Sequence, residues 1–179
     1  MNSNVSRRFF LRGAAQSAVL AAMPAFAKSH PWERRFFQDP ETNVRILQVT
    51  SFPTVNMNLS FHSRSWTPDA QTFLFWSMTT PRRSGTFDLY RSNVEGTDME
   101  QLTDGKSISG VSIRPDNGLI YFASGNAVYT MDIKTLAEKQ VAVLKNGTIS
   151  GGIGSFTDDG RRYCFNVTTP DYKNGIGYL

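Results

Sequence analysis

The side chains able to do chemistry are few, and their scarcity bounds the function. The chain carries two histidines, His30 and His62, and one cysteine, Cys164. Two histidines cannot by themselves build a three-histidine metal site, and a single cysteine cannot close an internal disulfide. The best local place to look is Asn56-Met57-Asn58-Leu59-Ser60-Phe61-His62-Ser63-Arg64. Within it, Arg64 offers a guanidinium fork that can grip a carboxylate in two-pronged fashion, and His62 can donate to a hydroxyl. Asn58 is a third polar candidate. These three are the substrate-binding candidates; no catalytic residue and no metal ligand is identified. Alternating residues on a strand also include solvent-facing polar ones, and a lone histidine is more often surface or core filler.

Other clusters read as structure. Arg82-Arg83, between Pro81 and Gly85, could attract a polyanion but fits a solvated loop. Asp158-Asp159 sits in a turn and reads as turn chemistry. Gly151-Gly152-x-Gly154 lacks the lysine and helix of a phosphate loop and fits a glycine-rich inner strand where chains crowd. Cys164, between Tyr163 and Phe165, reads as a small buried apolar residue.

The elements that position these groups follow from composition and periodicity. The chain is 179 residues long, 40% hydrophobic and 12% aromatic, which is a folding composition. The formal charge of +4 comes largely from Arg7, Arg8 and Arg12, in a leader without acidic residues. Beyond the leader acids and bases nearly balance, so no nucleic-acid surface is expected. Residues 1–27 combine Arg7-Arg8, then Phe9-Phe10-Leu11, a short apolar run from Gly13 to Met23, and Ala25-Phe26-Ala27. That is a twin-arginine signal peptide, implying a periplasmic or extracellular mature chain with no membrane span.

After the leader, one unit recurs. Trp66-Thr67-Pro68-Asp69-Ala70 through Phe75, Ile113-Arg114-Pro115-Asp116-Asn117 through Phe122, and Phe156-Thr157-Asp158-Asp159-Gly160 through Phe165 align, with a period in the ~40 to 50 residue range of a propeller blade. Each copy is a tight turn between two short aromatic and β-branched runs. Segments following the first two, Asp88 to Val94 then Met99 to Thr103, and Ala127 to Ile133 then Glu138 to Val141, supply third and fourth strands. The expectation is an all-β propeller of four-stranded blades: an orphan strand at 43–50, blades at about 56–103 and 107–144, and a partial blade at about 149–179. A propeller has 4 to 8 blades, so residues 28–179 are expected to be the N-terminal part of a longer ring.

With those strands placed, Phe37-Gln38-Asp39-Pro40-Glu41-Thr42-Asn43 running into Leu47-Gln48-Val49-Thr50 resembles the opening of the oligogalacturonate lyase family. The likeness continues through Asn58, Trp66-Thr67-Pro68-Asp69, Asp88-Leu89-Tyr90, Gln101-Leu102-Thr103-Asp104-Gly105-Lys106 and Asp132-Ile133-Lys134-Thr135-Leu136-Ala137-Glu138. TolB-type propellers share the same turns more widely. The resemblance implies a seven-bladed propeller cleaving oligogalacturonate, or another uronic-acid oligosaccharide, by β-elimination with manganese or another divalent metal. It implies that metal-binding and catalytic groups lie in later blades, so this chain alone binds no metal and is inactive. The sequence departs from the family in its export signal and in Ala70, which stands where the turn usually has glycine. The alternatives are a non-enzymatic TolB-type module binding protein or sugar, and a lyase-fold relative that binds sugar without cleaving it.

Export is directly testable. Replacing Arg7 and Arg8 with lysine is expected to strand a reporter fused to the leader in the cytoplasm; normal export of the double variant would remove the basis for this route.

Overall fold

A computed structural model of the chain describes residues 28–29, 33–52, 54–78, 87–171 and 174–179. All regular structure among them is β-strand. Strands β4 (Asn56–Asn58), β5 (Thr72–Ser77), β6 (Asp88–Asn93) and β7 (Met99–Gln101) form the first blade, ordered β7-β6-β5-β4, with β1 (Lys28–Ser29) added outside β7. The second blade is β8 (Ser109–Ile113), β9 (Ile120–Ser124), β10 (Ala127–Met131) and β11 (Glu138–Val143). The third sheet is β12 (Thr148–Phe156), β13 (Tyr163–Thr168) and β14 (Asn174–Tyr178). Every pairing is antiparallel, and the first strand of each blade, β4, β8 and β12, lies at the inner edge of its sheet. The propeller architecture read from the repeat is therefore the architecture found.

Local chemistry explains the turns. In the first and third, the threonine hydroxyl donates to the aspartate carboxylate, Thr67 to Asp69 at 2.6 Å and Thr157 to Asp159 at 2.5 Å. The same carboxylates accept the backbone N–H of Gln71 and Arg161. These bonds hold both carboxyls below the usual aspartate range. Successive turns also stack, Pro68 lying against Gly118 and Pro115 against Gly160.

The strand expected alone at 43–50 is instead half of a hairpin. Here β2 (Arg35–Gln38) pairs with β3 (Arg45–Gln48), with Phe36 opposite Leu47 and Phe37 opposite Ile46. The reason is the turn between them. Asp39 accepts the backbone N–H of Glu41 and Thr42 at 3.0 and 2.7 Å, and Asn43 takes a left-handed φ of 59°. Between β10 and β11 the same design recurs: Asp132 accepts from Lys134 and Thr135 at 2.9 and 2.8 Å, and Leu136 has φ 58°. The β2–β3 hairpin is thus built like the third-and-fourth-strand pair of a blade.

Neighbouring sheets pack through alternate strand residues. Leu74 and Leu89 meet Val111, Ile113 and Phe122 between the first two blades, and Tyr163, Phe165 and Val167 meet Ala123 and Val128 between the next two. On the far side of the first blade, Phe75, Tyr90 and Met99 pack with Val49, which leads in from the hairpin. Glu33 fastens that segment, its carboxylate accepting the N–H of Ser51 and Phe52.

The tightest point is a crossing of inner strands. Gly110 in β8 has φ 61°, and a Cβ on Gly154 in β12 would run into the Gly110 carbonyl oxygen and the Tyr163 hydroxyl. Tyr163, almost fully buried, donates its hydroxyl to that Gly110 carbonyl. Burial pushes its phenol up, so it stays protonated as a donor. Ser63, from the first blade, donates to the Gly154 carbonyl at 2.8 Å. The glycine-rich stretch is therefore an inner strand, as its composition suggests, but the crowding falls on Gly154 and not on Gly152.

Two stability outcomes follow. Ala70 holds φ 55°; relieving about 1–2 kcal/mol of left-handed strain against about 0.4–1 kcal/mol of added chain entropy makes Ala70→Gly stabilising, raising Tm by about 2 °C in a thermal melt. By contrast, Gly154→Ala is expected to cost about 3 kcal/mol or more, or to yield aggregated protein, while Gly152→Ala, whose added Cβ meets nothing within 4 Å, melts close to the parent.

Candidate functional site

The inner strands are irregular at a common level. In β8, Gly110 and Val111 oppose one residue of β9, and β12 shifts register between Ile149 and Gly154. The first blade has the largest interruption: Asn58 pairs with Phe75, pairing resumes at Trp66 with Phe73, and the residues between bulge out of the ladder. This bulge contains His62 and Arg64. Extra residues on an inner strand have no partner to hydrogen-bond and project their side chains, which is how bulges re-aim groups.

The bulge is anchored at both ends. Leu59 is buried in the core between the first two blades. The Ser63 N–H donates to the Ser60 carbonyl at 2.7 Å, and its hydroxyl reaches Gly154 in the third sheet. The Arg64 N–H donates to the Ser112 hydroxyl at 3.1 Å, and the Arg64 carbonyl accepts from Ile113 N–H at 2.8 Å. Between these anchors the tip stands in solvent. Phe61 is 91% exposed, and its ring lies against the His62 ring with centroids 3.9 Å apart. The His62 and Arg64 side chains are exposed, and neither engages a hydrogen-bond or ionic partner among the described residues. What results is a fixed backbone that presents, within one bulge, an exposed guanidinium and a stacked aromatic and imidazole, groups able to capture a carboxylate and meet a ring-shaped ligand.

Asn58 stands apart. It lies on β4 and lines a recess of about 320 Å³ with Val49, Thr50, Phe73 and Phe75, facing the hairpin side of the blade. His62 and Arg64 thus share the bulge, whereas Asn58 belongs to a different surface. Arg82-Arg83 lies outside the described residues. Cys164 is half-buried on the face of β13 opposite Tyr163 and Phe165, alongside Asn166, and not within a core. Sequence reasoning passed over Phe61, Ser63 and Ser112. Only the surplus of residues between Asn58 and Trp66 hinted at a bulge, and nothing local indicated that Ser63 would meet a strand 91 positions away.

Among the described residues, no three His, Cys, Asp or Glu side chains converge to hold a metal ion. The described residues therefore offer no donor set that fits a metal centre.

No protein-family profile matches the chain, and no curated protein matches its sequence. Solved structures do match its fold. Oligogalacturonate lyase from Vibrio parahaemolyticus superposes with a TM-score of 0.65 at 19% identity, covering 81% of this chain and 38% of the lyase. An oligogalacturonate lyase in complex with manganese gives the same values. A putative TolB from Agrobacterium tumefaciens gives 0.51 at 16% identity, covering 82% of this chain and 56% of the other. The chain spans well under half the length of the lyases it resembles. The resemblance read from sequence holds at the level of fold: these residues adopt the β-propeller arrangement that oligogalacturonate lyases and TolB-like proteins share.

Proposed function

We propose that this chain supplies the first blades of an exported propeller that cleaves uronic-acid oligosaccharides, oligogalacturonate being the leading candidate, by β-elimination. The observation that carries the proposal is the bulge on the first inner strand, which holds an unpaired Arg64 and His62 outward from a backbone fixed to the second and third blades. The fold likeness to oligogalacturonate lyases supports the same reading.

The chemistry asks for such a group. Removing the C5 proton of a uronate leaves a carbanion whose charge spreads into the adjacent carboxylate while the C4–oxygen bond breaks. A guanidinium on that carboxylate binds more tightly as charge builds, so it lowers the barrier as well as holding substrate. Arg64 takes that role here, and His62 donates to a neighbouring hydroxyl and orients the ring. The family likeness would place the proton-abstracting base and the manganese in blades beyond these, where the metal would help to stabilise charge on the uronate carboxylate.

A second reading, a TolB-type binding module without catalysis, has the weaker fold match in its favour. Titration separates the two. Trigalacturonate added to the 179-residue chain in a calorimeter is expected to bind saturably, with Arg64→Ala weakening binding tenfold or more, as loss of a charge-assisted pair of about 1.5–3 kcal/mol implies. The chain alone is expected to release no unsaturated product; a protein carrying the remaining blades does so, and chelation abolishes it. Absence of uronate binding to both proteins would leave the binding-module reading in place.

A further inference from the structure

Three blades meet around a cavity of about 430 Å³ that neither His62 nor Arg64 lines. The first blade contributes Met57, Trp76 and Phe87, the loop into β8 contributes Ser107, β8 contributes its first residue, Ser109, and the bulged part of β12 contributes Gly152. Its volume is within the ~300–1,000 Å³ range of small-molecule sites.

The walls are firmly placed. Asp88, buried at the start of β6, accepts the backbone N–H of Gly105 at 2.7 Å and the Thr103 hydroxyl at 3.2 Å, clamping the segment that leads through Ser107 to Ser109. Further along, Ser124 donates to the Ser107 carbonyl at 3.0 Å, and Ile108 packs on the core between the first two blades. Trp76 packs half-buried on that same core. Yet the Ser107 and Ser109 hydroxyls and the Trp76 indole N–H have no hydrogen-bond partner among the described residues.

The character of these groups selects the ligand. A purely apolar occupant would strip water from two hydroxyls and an indole N–H without replacing it, at a cost for each. A charged occupant would lose hydration with no countercharge among the described lining residues. What satisfies all of them is a neutral molecule with hydroxyls that both donate and accept, and one apolar C–H face to lie on an aromatic ring. We infer that this cavity is a binding site for a neutral pyranose unit, separate from the carboxylate-binding bulge and independent of the uronate reading.

The test is titration of the 179-residue chain with methyl β-D-galactopyranoside and methyl β-D-glucopyranoside, followed by calorimetry and by saturation-transfer NMR. Saturable millimolar binding of at least one is expected. The Ser107→Ala/Ser109→Ala pair should weaken it about tenfold, two neutral hydrogen bonds being lost. Gly152→Leu should abolish it while melting like the parent, because a side chain there enters open space without backbone strain. No saturable binding of either sugar, or binding that survives Gly152→Leu, would overturn the site. A parallel titration with galacturonate distinguishes the two readings. Galacturonate bound with neither neutral sugar bound overturns the cavity site and leaves the bulge standing; a neutral sugar bound and blocked by Gly152→Leu, with no galacturonate bound, supports the cavity and counts against the bulge.

Discussion

The arrangement of the three blades depends on one crossing, where Gly110 and Gly154 bring two inner strands closer than any side chain would permit. The Tyr163 hydroxyl closes that crossing by bonding Gly110, and Ser63 joins the first blade to it through the Gly154 carbonyl. Burial keeps the phenol protonated, so the bond persists wherever the protein is folded near neutral pH. A carbonyl in so crowded a place has no water to bond, and leaving it unmet would carry a full desolvation cost. Blade spacing at the axis is therefore set by backbone contact, and the apolar cores fill the wedges that this spacing leaves.

Away from the axis the construction becomes local and repetitive. Aspartate carboxylates tie off turns by accepting two or three donors within a few residues, and Asp39 and Asp132 do so in matching frames. Electrostatic ties cross between blades as well: Arg91 pairs with Glu100 on its own sheet and donates to the Ile133 carbonyl of the next at 3.0 Å. At the two ends of the described array, apolar groups face solvent. Ile176 on β14 is 77% exposed, and Phe36 on β2 is half-exposed under the Arg45 guanidinium, 3.8 Å from its ring centre. In a closed ring such edges and faces are covered by neighbouring strands.

Chemistry is divided between two surfaces that the same crossing positions. The bulge tip has charge and an open aromatic but little enclosure, which favours a ligand still partly in water. The three-blade recess is open to solvent and offers neutral hydrogen-bonding groups but no described charge. An oligosaccharide is a ligand class that uses both kinds of surface, because its units carry carboxylates, hydroxyls and apolar C–H faces on one chain.

The sequence by itself determined the turns and the strands they join. Thr67, Asp69, Thr157 and Asp159 bond within five positions of themselves, so their geometry is encoded where they stand. The short aromatic and β-branched run around Tyr163 and Phe165 likewise announced a strand. It could not announce that β3 pairs with β2, since the exposed Phe36 and Phe37 carry no alternation, nor which face of β13 would take Cys164. The bulge and the cavity were decided only by tertiary structure. Asn58 and His62 are four residues apart in one polar stretch, yet the ladder breaks between them and sends them to different surfaces. Contacts such as Ser63 with Gly154 bring together segments with no local reason to meet, and a strand's inner edge becomes a site only when neighbouring blades fix where its unpaired residues must go.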